Sequence, residues 1–293
     1  MITQQMIDAL PTAKWSREDY DKHTALNQTG AKLLIQTTPG HYKAYLEAPK
    51  QETEALRVGS LTHLFVLQPD VFTSSVICTP EDAPRKPTKK QTEAKKPKPE
   101  TLEAISWWSN FEEASKGKTV ADRDEYQQAV KVGKALQMEL MKHKVTPLAT
   151  ELCLTASWGE VPLKAQLDLI TADGWIWDLK TAREYVTPNN VLRTIYQRQY
   201  HLQGAYYMAM FKMAFGFKAK GFRMAFVEKD DPCATASYQL SDELITEGQM
   251  LMIQAIEAYR AATTFNSWPL YPDSINILHP RKIGPGAGDM TLA

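Results

Sequence analysis

The chain has 293 residues, with 34 Lys+Arg against 34 Asp+Glu and a net charge of zero. Any nucleic-acid binding must therefore come from a local patch and not from a globally basic surface. At 43% apolar and 23% charged the composition is that of a folded globular chain, long enough for one large domain or two small ones.

No apolar run approaches the roughly 20 residues needed to span a bilayer. The cysteines Cys78, Cys153 and Cys233 are scattered and odd in number, and the N-terminus has no signal-peptide core. This points to a reducing, cytoplasmic compartment and argues against a disulfide framework or a four-cysteine cluster.

Residues 1–30 are polar and mixed. Residues 31–47 read as two short helices broken at Pro39-Gly40. Ser60 is placed to cap a helix SLTHLFVLQ that stops at Pro69. On that helix His63 sits among Leu61, Leu64, Phe65 and Leu67. A histidine in such company is ordinarily a core or boundary residue; its functional reading is a neutral imidazole metal ligand.

Residues 84–99, PRKPTKKQTEAKKPKP, differ from their surroundings, holding seven Lys/Arg against one Glu, four prolines and no large apolar side chain. They read as a flexible, extended insertion, either simply solvated or an electrostatic arm that touches phosphates. Residues 101–144 are helical in pattern, interrupted at SKGKTVA. Gly117-Lys118-Thr119 looks like the end of a phosphate loop, but Glu112 stands where that motif needs glycine, so a nucleotide-triphosphatase reading fails.

ELCLTASW (151–158) alternates like a strand, with Glu151 at its start as either a surface acid or a further metal-side carboxylate. VPLKAQLDLI follows Gly159-Glu160, so that a three-stranded meander runs through Lys180. Its last hairpin, KAQLDLITADGWIWDLKT (164–181), carries the densest chemistry. Side chains alternate along a strand, so Asp178 and Lys180 share a face roughly 6–7 Å apart. Asp168 joins them only if it lies opposite Asp178, which requires an odd loop such as the five residues Thr171 to Trp175. A two-residue Asp173-Gly174 turn would put the acids on opposite faces. Two acids and a lysine on one face suit a divalent cation and a phosphodiester.

Pro188 opens a helical pattern that continues from Asn189 to Phe215 and stops before Gly216. Within it Gln203 and Tyr207, four apart, share a face, and Arg193, Arg198, His201 and Lys212 add basic character. GFRMAFVEK and TASYQL read as strands around Asp230-Asp231-Pro232. Ser241 then caps a long helix with acids in its first turn. The predicted fold is α/β (α+β): a central mixed sheet flanked by helices.

The set Gly59-x-x-x-His63, Glu151, Asp168, Asp178-Leu179-Lys180-Thr181 and Gln203-x-x-x-Tyr207 resembles the PD-(D/E)xK nuclease superfamily, in its RecB-like branch, and most closely the RecE-type exonucleases (exonuclease VIII) of phages and prophages. The resemblance spans roughly residues 25–275 and includes Pro39 to Tyr45, the VGSLTHLFVLQP block, GKTV and RQYHLQGAYY. One departure is Leu167, which precedes Asp168 where the superfamily name has proline.

The resemblance implies a restriction-endonuclease-like core in a single nuclease domain, residues 1–280, with 84–99 as an insertion and 281–293 as a loose tail. It implies Mg²⁺ or Mn²⁺, two ions, held by His63, Glu151, Asp168, Asp178 and the Leu179 carbonyl. Asp168, Asp178, Lys180, Gln203 and Tyr207 would be the catalytic set. Lys180 would orient and help deprotonate water or stabilise the phosphorane, lysine being a compact charge whose pKa can be lowered. Gln203 and Tyr207 would hold the DNA strand or brace the metal-site residues.

The implied activity is 5′-to-3′ digestion of linear double-stranded DNA from its ends, leaving 3′ overhangs for recombination by a RecT-like single-strand annealing protein. A ring-shaped homo-oligomer, no membrane association and a cytoplasmic, phage- or prophage-encoded protein are implied with it. Two alternatives stand beside it: a single-strand- or structure-selective nuclease of the RecB/Cas4 kind, and an inactive DNA-binding recombination accessory module.

Overall fold

The structure, a computed structural model, describes residues 1–49, 53–273 and 275; the expected tail 281–293 lies outside these. The first part of the chain is helical: α1 (Gln4–Asp8), α2 (Arg17–Lys22), α3 (Gln28–Gln36), α4 (Pro39–Glu47), α5 (Glu54–Leu67) and α6 (Pro69–Ser75). Strand β1 (Val76–Cys78) pairs in parallel with β2 (Thr119–Ala121), and between them an arm carries α7 (Lys89–Thr92) and α8 (Pro99–Ala114). Helix α9 (Arg123–Lys142) leads into β3 (Pro147–Trp158), β4 (Val161–Thr171) and β5 (Trp175–Ala182). Helices α10 (Pro188–Gln197) and α11 (Tyr200–Phe215) cross over to β6 (Gly221–Glu228) and β7 (Thr235–Gln239), and α12 (Asp242–Thr264) follows.

The five-stranded sheet has the order β3-β4-β5-β6-β7. Every neighbouring pair is antiparallel except β5–β6, which is parallel and therefore needs the long α10–α11 crossover. This is the mixed sheet flanked by helices that the sequence pattern predicts. Burial on both faces explains why the central strands read as nearly continuous apolar runs. One face, with Leu163, Leu167, Ile176 and Phe222, packs on α3, α11 and α12. The other, with Leu169, Trp177, Leu179 and Ala225, packs on Val132, Leu136 and Leu140 of α9.

Two helices close in tightly behind the sheet. A Cβ at Gly248 of α12 would lie 2.1 Å from the His201 carbonyl oxygen of α11, so only glycine permits this approach. Glu139 of α9 ties down edge strand β7, accepting from Ser237 Oγ at 2.8 Å and Thr235 Oγ1 at 3.0 Å.

Three local expectations are corrected. Ser60 is not an N-cap: α5 begins at Glu54, capped by the Thr53 hydroxyl, and Ser60 lies inside it. Leu56 in its first turn is exposed and the buried positions begin at Val58, so the start of the helix carries no core-facing stripe that would mark it. The 188–215 helix is two helices, broken where Gln199 adopts a left-handed φ of 52°. Segment 84–99 is not wholly extended, because Thr88 and Gln91 form a capping box that starts α7. The arm also folds on itself: Trp108 Nε1 donates to the Pro84 carbonyl at 2.8 Å, Lys86 pairs with Glu112 at 2.7 Å, and Trp107 stacks on Phe111.

Candidate active site

The β4–β5 hairpin has the odd loop that the sequence reading requires. Leu169 pairs with Trp177 and Ile170 with Ile176, so residues 171–175 lie between the last paired positions as an odd loop. Gly174, at φ 91°, makes the turn, with its N–H donating to the Thr171 carbonyl at 2.9 Å. The ladder stops at Leu169–Trp177. Beyond it the Asp168 carboxylate takes the place of a backbone acceptor, receiving the Leu179 N–H at 2.7 Å. The fork between the strands is thus held by one of the site's own side chains.

On the neighbouring strand, Thr150 pairs with Leu169 and Leu152 with Leu167, which sets Glu151 opposite Asp168. Glu151 has a left-handed φ of 50°, a conformation uncommon for a non-glycine residue and often found at functional sites. Helix α5 supplies His63, whose Nδ1 lies 3.6 Å from Asp168 Oδ2. One ligand atom each from His63, Glu151 and Asp168 lie within 4.8 Å of one another.

Two hard oxygen donors and an imidazole nitrogen fit a divalent cation that keeps several waters. The electrostatics point the same way: burial, and then the Asp168 carboxylate, push the Glu151 pKa up to about 8. Crowded acids of this kind are relieved by a bound cation.

Asp178 is 1% exposed and stands beside this trio. Gln203 Nε2 donates to its Oδ1 at 2.6 Å, and Lys180 Nζ lies 2.6 Å from its Oδ2. Burial raises its pKa, against the Lys180 charge, with Asp168 adding to the rise. For Lys180 burial pulls downward, but Asp178, Tyr200 and Asp168 outweigh it and hold the pKa at about 12. Beside Asp178, Lys180 is an ammonium: a donor and a positive charge.

Gln203 and Tyr207 are both buried on α11, and Gln203 reaches the site through its hydrogen bond to Asp178. Tyr207 packs edge-on against Phe222 at 6.2 Å. The Leu179 amide is accounted for by Asp168; its carbonyl, expected as a metal ligand, belongs to a residue with 0% exposure.

Two residues escaped the sequence reading. Lys32 of α3 donates to Gln203 Oε1 at 2.7 Å. Lysine only donates and the Asp178 carboxylate only accepts, so together they set which way the Gln203 amide faces. Burial, followed by the Lys180 charge, lowers the Lys32 pKa well below its ordinary value. Tyr200 is the second: the Nζ atoms of both lysines lie over its ring, Lys32 at 4.9 Å and Lys180 at 4.8 Å. Tyr200 precedes Gln203 by three residues, a helical spacing that could have flagged it; nothing in the local sequence marks Lys32.

Residues 29–280 match the family described as a PDDEXK-like domain of unknown function (DUF3799). Among solved structures, a presumed exonuclease from Eubacterium rectale is similar at 14% identity, covering 85% of this chain and 87% of that one, with a TM-score of 0.55. A phage-related exonuclease from Haemophilus somnus 129PT is similar at 13% identity over 62% of this chain and 91% of its own, with a TM-score of 0.35. No curated protein matches the chain. The first of these structural likenesses shows a shared fold. Among the described residues, no helix is long and apolar enough to cross a membrane.

Proposed function

The chain belongs to this PDDEXK-like family, and on that premise we propose that it is a divalent-metal-dependent deoxyribonuclease. The observation that carries the reading is the convergence of His63, Glu151 and Asp168 within 4.8 Å, beside the Asp178–Lys180 pair. His63, Glu151 and Asp168 would hold Mg²⁺ or Mn²⁺, with Asp178 and the Leu179 carbonyl completing a set for two ions. When bound, such ions would activate water for attack on the phosphodiester and stabilise the charge that develops on its oxygens.

The protein's own groups do the rest. Lys180, held as an ammonium, offers a proton and a positive charge to a phosphoryl oxygen. Gln203, oriented by Lys32, fixes Asp178 Oδ1 and leaves Oδ2 to face Lys180. Tyr207 backs Gln203 from the core.

In its finer form the proposal is a 5′-to-3′ exonuclease on linear double-stranded DNA that leaves 3′ overhangs, acting as a ring-shaped homo-oligomer with a RecT-like annealing partner. Support comes from the ordered motif set spanning the chain. Digestion of a linear duplex labelled at the 5′ end of one strand or the 3′ end of the other, with and without Mg²⁺ and with a circular control, tests it. Metal-dependent loss of the 5′ label with the circle intact is expected. Cutting of the circle or of single strands would replace the exonuclease by a structure-selective nuclease; no cutting with either metal would leave a binding module. Sedimentation of the full chain tests the ring: a monomer at micromolar concentration removes it.

A further inference from the structure

Immediately past Lys180 on β5 the next residues, Thr181 and Ala182, open into a cavity of about 520 Å³, within the size range of small-ligand sites. It lies between the start of α5, the β5–α10 loop, α10 and Lys229. Tyr200, whose ring already carries Lys32 and Lys180, is one wall, and Phe226 another.

Its charge is one-sided. Arg183, Arg198 and Lys229 line it, and among the described residues neither arginine is in an ion pair. The one carboxylate on the wall, Glu184, is taken by Arg193 at 2.5 Å. Burial, and then the charge of Arg183, lower the Lys229 pKa, outweighing the nearby Asp230 and Glu54 carboxylates, neither of which lines the cavity. Guanidinium groups favour phosphate, which they bind with two parallel hydrogen bonds, and an aromatic wall favours a base or sugar.

We propose that this cavity binds a nucleoside monophosphate unit, its phosphate on Arg183 and Arg198 and its sugar and base against Tyr200 and Phe226. Two sources share that chemistry: the phosphorylated end of a DNA strand whose neighbouring phosphodiester lies at Lys180, and the mononucleotide released by cleavage. The inference rests on the nuclease reading for the ligand's identity, but its binding test needs neither metal nor turnover.

Thymidine 5′-monophosphate and thymidine are titrated calorimetrically into the metal-free full chain and into an Arg183→Ala/Arg198→Ala double variant. Both arginines are exposed, so the variant keeps its core, which circular dichroism checks. The monophosphate should bind at least tenfold more tightly than thymidine, and the variant should lose at least tenfold. Equal binding of the two ligands, or equal binding by variant and wild type, overturns the proposal.

Duplexes with 5′-phosphate and 5′-hydroxyl ends separate the sources. Faster cutting of the phosphorylated end, lost in the variant, identifies the strand end. Equal cutting, with inhibition by the monophosphate in wild type only, identifies the product. Absence of any cleavage, with arginine-dependent binding intact, removes the nuclease reading and leaves the pocket standing.

Discussion

Glu151 supplies a quantitative test of the metal centre. Without metal its pKa is about 8, whereas an exposed glutamate ionises near 4.3. Between those values the folded chain holds a proton that the unfolded chain has released, so metal-free stability falls as pH rises through that window. A divalent cation must displace this proton. The group is mostly protonated at pH 7.0 and much less so at pH 8.5, so metal binding should release up to about one proton at pH 7.0 and clearly fewer at pH 8.5.

Below pH 8 the apparent affinity should fall about tenfold per unit. The assay is calorimetric titration of Mg²⁺ or Mn²⁺ into the full chain in two buffers of different ionisation enthalpy. Glu151→Gln, which carries no such proton, should abolish this component. Metal binding at pH 7.0 with no proton release, or release unchanged in Glu151→Gln, would refute the assignment of Glu151 to the site.

Asp168→Ala and Asp178→Ala should each abolish DNA cleavage while circular dichroism stays native; activity in either variant removes that residue from the metal set. Lys180→Ala should lower turnover by about 10²-fold or more and change duplex affinity much less, as single-turnover kinetics and binding isotherms would show. Deletion of residues 85–98 should flatten the salt dependence of duplex binding if the arm contacts phosphates; an unchanged slope makes it a passive insertion. Hydrogen bonds from Ser237, Thr235 and His143 overcome burial and lower the Glu139 pKa, so its contribution is present above an ordinary glutamate's pKa and is lost as pH falls through the folded value. Glu139→Gln should cost about 1–3 kcal/mol in urea unfolding at pH 7 and less in acid; equal loss at both pH values contradicts the charge assignment.

The strands of the five-stranded sheet were legible in the sequence through two-residue alternation, and the β4–β5 register through the length of one loop; the three-residue strands β1 and β2 are too short to leave such a pattern. Reading 171–175 as an odd loop gives the pairs Leu169–Trp177 and Ile170–Ile176 that the structure has. Helix ends were less legible. Thr53 lies seven residues before Ser60, ahead of any apolar stripe, and the break at Gln199 uses neither glycine nor proline. The depth of the site was hidden altogether. Lys32 reaches Gln203 across 171 positions of sequence, and Glu139 reaches Ser237 across 98; contacts of that range leave no periodic trace.

The parallel pairing of β1 with β2 has a consequence for handling the protein. Two strands side by side and pointing the same way cannot be joined by a tight turn, so residues 79–118 are a required crossover whose tip can be trimmed but whose span cannot be removed. A protease that cuts within this arm would not release it. The amino-terminal fragment would end beyond Cys78 and the carboxy-terminal one would begin before Thr119. The ladder Val76–Thr119, Ile77–Val120, Cys78–Ala121, with Phe72 packed beside Ala121 and Ala129, would keep the two together. The nicked protein should therefore elute as one species under native conditions and as two only in denaturant.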